Sequence, residues 1–350
     1  MAHYPDVSQQ PDTSARRLAG FLSLFLLLSG LGTWAIYDRF AGRDVRFDER
    51  LLAPETLLAA LGLLLVYFLA DGLRLHFTLR ALGHHLAFRP IFRLVFINIF
   101  FSNVTPLATG GGFAQIWYLH KRGVPIGTAT AATTIRTILA ILFIFSVTPV
   151  CLLWLDALQG RPVVDRLSGL LALLILLYLA FFLVVLFRTR WLSPLLTAVV
   201  NGLHRLHLIS DARAHRWQFK LRRELLRFAR SFSTYLRGDW RFVLLSIALT
   251  LVFLISLFSF PALLMWALGY SVDYVTVLGL LFVTTFIMYF APTPGASGIS
   301  EGVFGSFFSP LLGSTHLVLV TVAWRFLTIY LGMLIGLIVT QFEVTRRGRS

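Results

Sequence analysis

Three ionisable residues stand inside stretches that are otherwise apolar: Glu301, Arg136 and Arg325. A charge at the centre of a bilayer costs about 2.5–3.5 kcal/mol on insertion scales, so such residues face a polar cavity or a partner of opposite charge. Each follows a stretch rich in proline and glycine. The segment Pro106-Leu-Ala-Thr-Gly110-Gly111-Gly112-Phe-Ala-Gln115 can be set above Pro292-Thr-Pro294-Gly295-Ala-Ser297-Gly298-Ile-Ser-Glu301. One offset then pairs Pro106 with Pro292, Gly112 with Gly298 and Gln115 with Glu301. Helices beginning near Gly110–Gly112 and Gly295–Gly298 would offer free N–H groups and a positive dipole end to an anion such as phosphate. Glycine lets backbone approach a ligand closely, and the arginine fork suits phosphate or carboxylate. Glu301 suits an ammonium group or a proton. A Glu–Arg pair that only locks the hairpins is the plainer reading, and the two are compatible. Asn98, Asn103, Thr105 and Ser297 are further polar lining or capping groups.

The elements that must position these residues are membrane spans. Of 350 residues 57% are hydrophobic and only 13% charged, about half the charged share of a soluble domain. That is too little charge to cover a water-exposed surface. A hydrocarbon core takes roughly 20 apolar helical residues. Six stretches meet that length, at 18–37, 54–75, 126–155, 167–187, 242–268 and 316–342. The first has no small-residue cleavage site after it and is expected to be a mature helix, not a signal peptide. The one cysteine, Cys151, excludes an internal disulfide and a cysteine-only metal site.

Two further apolar stretches, 91–104 and 275–291, run into the proline–glycine segments, and short segments, 112–120 and 298–308, lead back out. Neither half is long enough to span comfortably. Each pair is expected to form a re-entrant hairpin, which is tolerated only when packed in protein or lining a cavity. Charge tests this topology. With Arg16 and Arg17 inside, the basic loop 74–93, Lys121 and Arg122, the segment 188–241 and the tail with Arg346, Arg347 and Arg349 all fall on the cytoplasmic side, but only if both hairpins are re-entrant. This satisfies the positive-inside rule and places both termini in the cytoplasm of an inner membrane. The net charge of +15 is thus topology and lipid contact, not a nucleic-acid surface. Within the basic segment, Trp217, Leu221, Leu225, Phe228 and Phe232 recur at helical spacing between arginines. That pattern fits an amphipathic helix on an anionic leaflet or a solvated connector.

Repeat one, about 90–157, and repeat two, about 275–342, are separated by an odd number of crossings, which inverts the second copy. The fold class expected is an all-α membrane protein with six transmembrane helices and two re-entrant hairpins in an inverted repeat, the plan of transporters whose broken helices meet near mid-bilayer. Asp71 and Arg74, one turn apart, suggest an interfacial ion pair; His84 and His85 read as surface, and His316 as a lone residue. There is no HExxH, GxSxG or Walker A motif, so neither an enzyme nor a cofactor is expected.

The paired motifs Asn103–Gln115 and Ala291–Glu301 also resemble those of the flippase-like family, the transmembrane region of lysylphosphatidylglycerol synthases, from about Leu57 to Thr340. Gln115 stands where that family commonly shows an acidic residue. Its best understood members join this region to a soluble aminoacyl-transfer domain of a few hundred residues. The chain ends at Ser350, so lipid aminoacylation by this chain alone is not expected. The resemblance implies movement of a lipid between leaflets, or an accessory role beside a lipid-modifying enzyme. The expected function is a translocator for lipids with an anionic or zwitterionic headgroup. Its expected site comprises Gly110, Gly111, Gly112, Gln115, Arg136, Pro294, Gly295, Ser297, Gly298, Glu301 and Arg325. The competing class is a non-transporting scaffold that docks an enzyme through 188–241.

Overall fold

The computed structural model describes residues 47–155, 230 and 232–345 apart from 272, with isolated positions in 22–38 and 173–180. The expected spans at 18–37 and 167–187 and most of the basic segment lie outside the described residues. What is described is helical throughout, with no strand. The elements are α1 (Pro54–Ala81), α2 (Phe88–Val104), α3 (Thr109–Lys121), α4 (Ile126–Trp154), α5 (Trp240–Ala267), α6 (Tyr274–Met288), α7 (Ile299–Phe308), α8 (Ser314–Arg325) and α9 (Leu331–Thr345). A π turn at Phe326–Tyr330 joins α8 to α9, so Ser314–Glu343 forms one rod of 30 residues.

α1, α4, α5 and the α8–α9 rod are each about 40–45 Å long at 1.5 Å per residue. Each is apolar enough to cross a membrane, whose hydrocarbon core is ~30 Å thick. Pro54 opens α1 at the position where a missing N–H costs nothing. Asp239 caps α5 by accepting from the Arg241 N–H at 3.0 Å. Asp273 caps α6 by accepting from the Thr276 N–H at 2.8 Å. Buried hydroxyls are satisfied within their own helices: Thr78, Thr148, Thr250 and Thr321 each donate to the carbonyl four residues back at 2.7 Å. The outer face of α1 turns Leu57, Leu58, Leu61 and Leu65 away from the protein, with Leu58 69% exposed. A row of outward leucines is stable against lipid tails and costly against water.

The four short helices make two hairpins, α2–α3 and α6–α7. Their limbs have 17, 13, 15 and 10 residues; the longest reaches about 26 Å. Each hairpin returns to the end of the molecule from which it started. At one end, Arg93 in the second turn of α2 and Arg122 after α3 both reach Glu343 at 2.9 Å, and His84 meets Thr128 at 3.3 Å. At the other, Tyr270 just before α6 accepts from the Gly313 N–H beyond α7 at 3.0 Å and meets His316 at 2.8 Å. His316 and Glu343 sit near opposite ends of the same rod, about 40 Å apart. The hairpins therefore come in from opposite ends, and their tips, Pro106–Ala108 and Pro294–Ala296, pack on each other.

Both tips share a backbone. A proline is followed by two residues in the left-handed region: Leu107 (φ 54) and Ala108 (φ 53) in one, Gly295 (φ 57) and Ala296 (φ 53) in the other. Left-handed backbone costs a residue with a Cβ roughly 1–2 kcal/mol. Three such residues persisting at one junction mark an overdetermined turn. Matching the tips pairs Pro106 with Pro294, not with the Pro292 of the motif alignment. The proline–glycine patterns agree by letter at one offset and by shape at another, because α3 starts directly after its tip while Ser297 and Gly298 intervene before α7.

Aromatic contacts bind the hairpins to the rods. Phe304 on α7 stacks on Trp324 of α8 with centroids 4.7 Å apart, and Phe145 of α4 meets Phe286 of α6 at 4.8 Å. Tyr67 of α1 stacks on Phe253 of α5 at 5.3 Å. On α9, Gly336 lies so close to α2 that a Cβ would collide with the Phe96 carbonyl. A Cβ on Gly112 would meet nothing within 4 Å. Gly336→Ala is expected to destabilise the protein by about 1–3 kcal/mol through overpacking against rigid backbone, and Gly112→Ala to leave it no less stable. Thermal unfolding of the detergent-solubilised variants checks the pair.

Candidate functional site

Two ionic clusters lie beside the tips. In the second hairpin, Glu301 is the third residue of α7 and fully buried. Its Oε2 accepts from the Gly298 N–H at 2.7 Å and from the Ser300 hydroxyl at 2.8 Å, which caps the helix. Its Oε1 lies 2.9 Å from Arg325 Nε, an ion-pair distance without hydrogen-bond alignment. Arg325 Nη2 donates to the Gly295 carbonyl at 3.0 Å and to Ser297 Oγ at 3.3 Å. The rod thus grips the hairpin tip through one guanidinium, immediately before its π segment.

The first cluster spans four helices. Arg136 of α4 donates from Nη1 to Gln115 Oε1 of α3 at 2.9 Å. Gln115 Nε2 donates in turn to Asn98 Oδ1 of α2, which also accepts from the Ser102 hydroxyl at 3.2 Å. Arg136 Nη2 meets both oxygens of Asp71 at 2.5 and 2.6 Å. Arg74 joins the same carboxylate through Nε at 2.7 Å and lays its guanidinium over the Phe253 ring, 3.8 Å from the centroid. Asp71, Arg74 and Arg136 are all buried.

Asp71 and Arg74 form the expected ion pair, at 2.6 Å, but it is buried and shared with Arg136. Asp71 lies ten residues from the end of α1, about 15 Å into the molecule. Arg136 lies ten residues into α4, at a matching depth. The sequence signal was present: Asp71 is an isolated acid inside a run that otherwise qualifies as a span. His316, at the start of α8, bonds Tyr270 and sits 3.2 Å from Asp48. Asp48 itself, outside the rods, has its carboxyl held well below the usual range by hydrogen bonds from Arg50.

The glycines take other roles than ligand contact alone. The Gly110 N–H donates to Thr105 Oγ1 at 2.8 Å, and that of Gly298 is spent on Glu301. The expectation of free N–H groups thus fails at both: residues of the tips cap their own helices. Gly110 and Gly111 admit α3 close against α2, since a Cβ on either would overlap Thr105 or Ser102. Gly112, by contrast, faces open space. Pro294 and Ser297 are buried, and Ser297 Oγ accepts from Arg325. Among the described residues no group of three metal-ligating side chains occurs.

Apolar rods with outward leucines, around paired hairpins with buried charges, define an integral, multi-pass membrane protein. Residues 20–336 match the model of the family described as the lysylphosphatidylglycerol synthase TM region, and the chain belongs to that family. It is also similar to a UPF0104 membrane protein of Archaeoglobus fulgidus, with 22% identity over 322 residues, 91% of this chain and 96% of the other.

The two clusters differ in what their loss would cost. Glu301→Ala strands Arg325 without a carboxylate and uncaps α7; breaking a buried pair this way costs about 3–5 kcal/mol. Gln115→Ala removes one neutral partner and is expected to cost about 1–3 kcal/mol. Replacing both Glu301 and Arg325 by methionine is expected to recover most of the first loss. Thermal unfolding in detergent, arranged as a double-mutant cycle, checks all three.

Proposed function

We propose that the protein moves a lipid with a charged headgroup between the leaflets of the inner membrane, acting as a carrier without chemistry of its own. The observation that carries this reading is the meeting of two hairpin tips from opposite ends beside buried arginine–carboxylate clusters. Hairpins that return to their starting end support re-entrant insertion, and their opposite directions with the same turn backbone support an inverted repeat. Together with two further spans at 18–37 and 167–187, the four rods would give six crossings with both termini in the cytoplasm. Such a plan places a polar midpoint where neither leaflet is favoured, and rocking of one repeat against the other changes which leaflet it faces. The family also points toward lipid.

In this reading Arg136, Arg325 and Gln115 hold the headgroup, Glu301 and Ser297 fix Arg325, and the backbone at Gly112 and at Pro294–Gly295 lets the headgroup pass close to the chain. Gly110, Gly111 and Gly298 shape the tips. The lipid tails remain in the bilayer along the outward apolar faces.

The test uses purified protein in liposomes carrying trace fluorescent lipids, with dithionite bleaching the outer leaflet. The wild type is expected to expose the inner-leaflet pool of at least one headgroup class. Arg136→Ala, Arg325→Ala and Glu301→Gln, provided they elute as the wild type does, are expected to slow that exposure at least tenfold. Protection as complete as in protein-free liposomes, across headgroups, would contradict the reading.

A further inference from the structure

We propose that the Asp71–Arg74–Arg136 cluster is a recognition site for one monoanionic phosphodiester, which docks on the two arginines as a second anion beside Asp71. The proposal deepens the translocator reading and rests on it for the source of the ligand.

The charge balance points there first. Among the described residues, the buried arginines and acids of the two clusters are Arg74, Arg136 and Arg325 against Asp71 and Glu301. Glu301 is committed to Arg325 and to capping α7, so that cluster is neutral as a unit. The other holds two guanidiniums on one carboxylate and keeps one positive charge. No missing acid restores the balance from the remaining expected spans, because 18–37 and 167–187 contain no Asp, Glu, Lys or Arg. Gln115, as an amide, gives Arg136 an acceptor without cancelling charge. An uncompensated charge in a low-dielectric interior is expensive, and an anion that enters to neutralise it recovers that energy.

The donors point the same way. Arg74 Nη1 and Arg136 Nε are buried and have no hydrogen-bond partner in the protein. Two arginines with unspent N–H groups around one carboxylate suit a second oxyanion, and phosphate accepts such forks as carboxylate does.

The class of ligand follows. A headgroup with net charge −1, such as phosphatidylglycerol, neutralises the cluster. A zwitterionic headgroup brings an ammonium for which the described buried residues offer no uncommitted acid, and it leaves the positive charge in place. The site therefore prefers phosphatidylglycerol to phosphatidylethanolamine, and disfavours a cationic aminoacyl-phosphatidylglycerol.

The experiment is a lipid titration of the full-length protein in detergent, read by thermal stabilisation and native mass spectrometry. The probes are phosphatidylglycerol, phosphatidylethanolamine and lysyl-phosphatidylglycerol, with inorganic phosphate and glycerophosphoglycerol as soluble arms. Phosphatidylglycerol is expected to bind about tenfold tighter than phosphatidylethanolamine. Arg74→Gln, which leaves the Asp71–Arg136 pair intact, is expected to erase that preference, and Arg74→Lys to restore part of it. Asp71→Asn frees both arginines and is expected to tighten phosphatidylglycerol about tenfold further, whereas a purely structural Asp71 would lower stability with no gain in affinity. Equal binding of the phospholipids, or a preference for the cationic lipid, overturns the proposal, as does an Arg74→Gln variant that folds and keeps the preference. If the soluble arms displace phosphatidylglycerol and follow the same variant pattern, the anion site stands and its ligand is free phosphate. Because binding is read without transport, a protein that shows the preference yet moves no lipid sinks the translocator reading and leaves the site.

Discussion

The structure depends on the requirement that every formal charge deep inside an apolar bundle be held by another. Asp71 and Arg136 answer it across α1 and α4, and Glu301 and Arg325 across α7 and α8. Neither pair is a surface bridge worth a few tenths of a kcal/mol. Breaking one leaves a charge with no water to solvate it, so each pair fixes the relative position of the helices that carry it. Evidence for stability alone would be weak, because apolar packing often does as well as a buried ion pair. In the proposed reading these residues line a pathway for something charged, the usual role of ionisable side chains within a membrane.

The helix breaks follow from the same geometry. A continuous helix hides its backbone and presents only side chains at mid-membrane. Proline and left-handed residues end α2 and α6 after 17 and 15 residues, and the chain turns where the opposite hairpin also turns. The exposed carbonyl of Gly295 is taken up by Arg325 and the orphan N–H groups by Thr105 and Glu301. Those groups are satisfied within the protein, while Arg74, Arg136 and Arg325 keep buried N–H groups without a hydrogen-bond partner. Recognition thus falls to side chains reaching the tips, more than to the glycine-rich backbone.

Much of this was legible in residue order. Four rods and both hairpins came from apolar runs interrupted by proline and glycine. Arg136 and Gln115, and Arg325 and Glu301, are brought together as their positions in the paired motifs suggested. Asp71 was misjudged because hydropathy marks the end of an apolar run, not the end of a helix. α1 continues to Ala81 through Arg74, His76 and Arg80, residues that read as a loop when counted by polarity but are shielded by α2, α4 and α5. Which residues cap the tips was invisible for a different reason. Thr105 and Glu301 act through local hydrogen bonds whose partners depend on where α3 and α7 begin, and that start shifts by two residues between hairpins whose letters align.

The arrangement of the hairpins is tested most directly by side-specific cysteine labelling in sealed vesicles. With Cys151 replaced by alanine, single cysteines at 85 and 123 bracket the first hairpin, and at 271 and 310 the second; all four positions are exposed. The account predicts that 85 and 123 react with an impermeant maleimide from one face of the membrane, and 271 and 310 from the other. Labelling of 85 and 123 from opposite faces would mean that α2 and α3 cross, and would contradict the meeting of two re-entrant tips on which the rest is built.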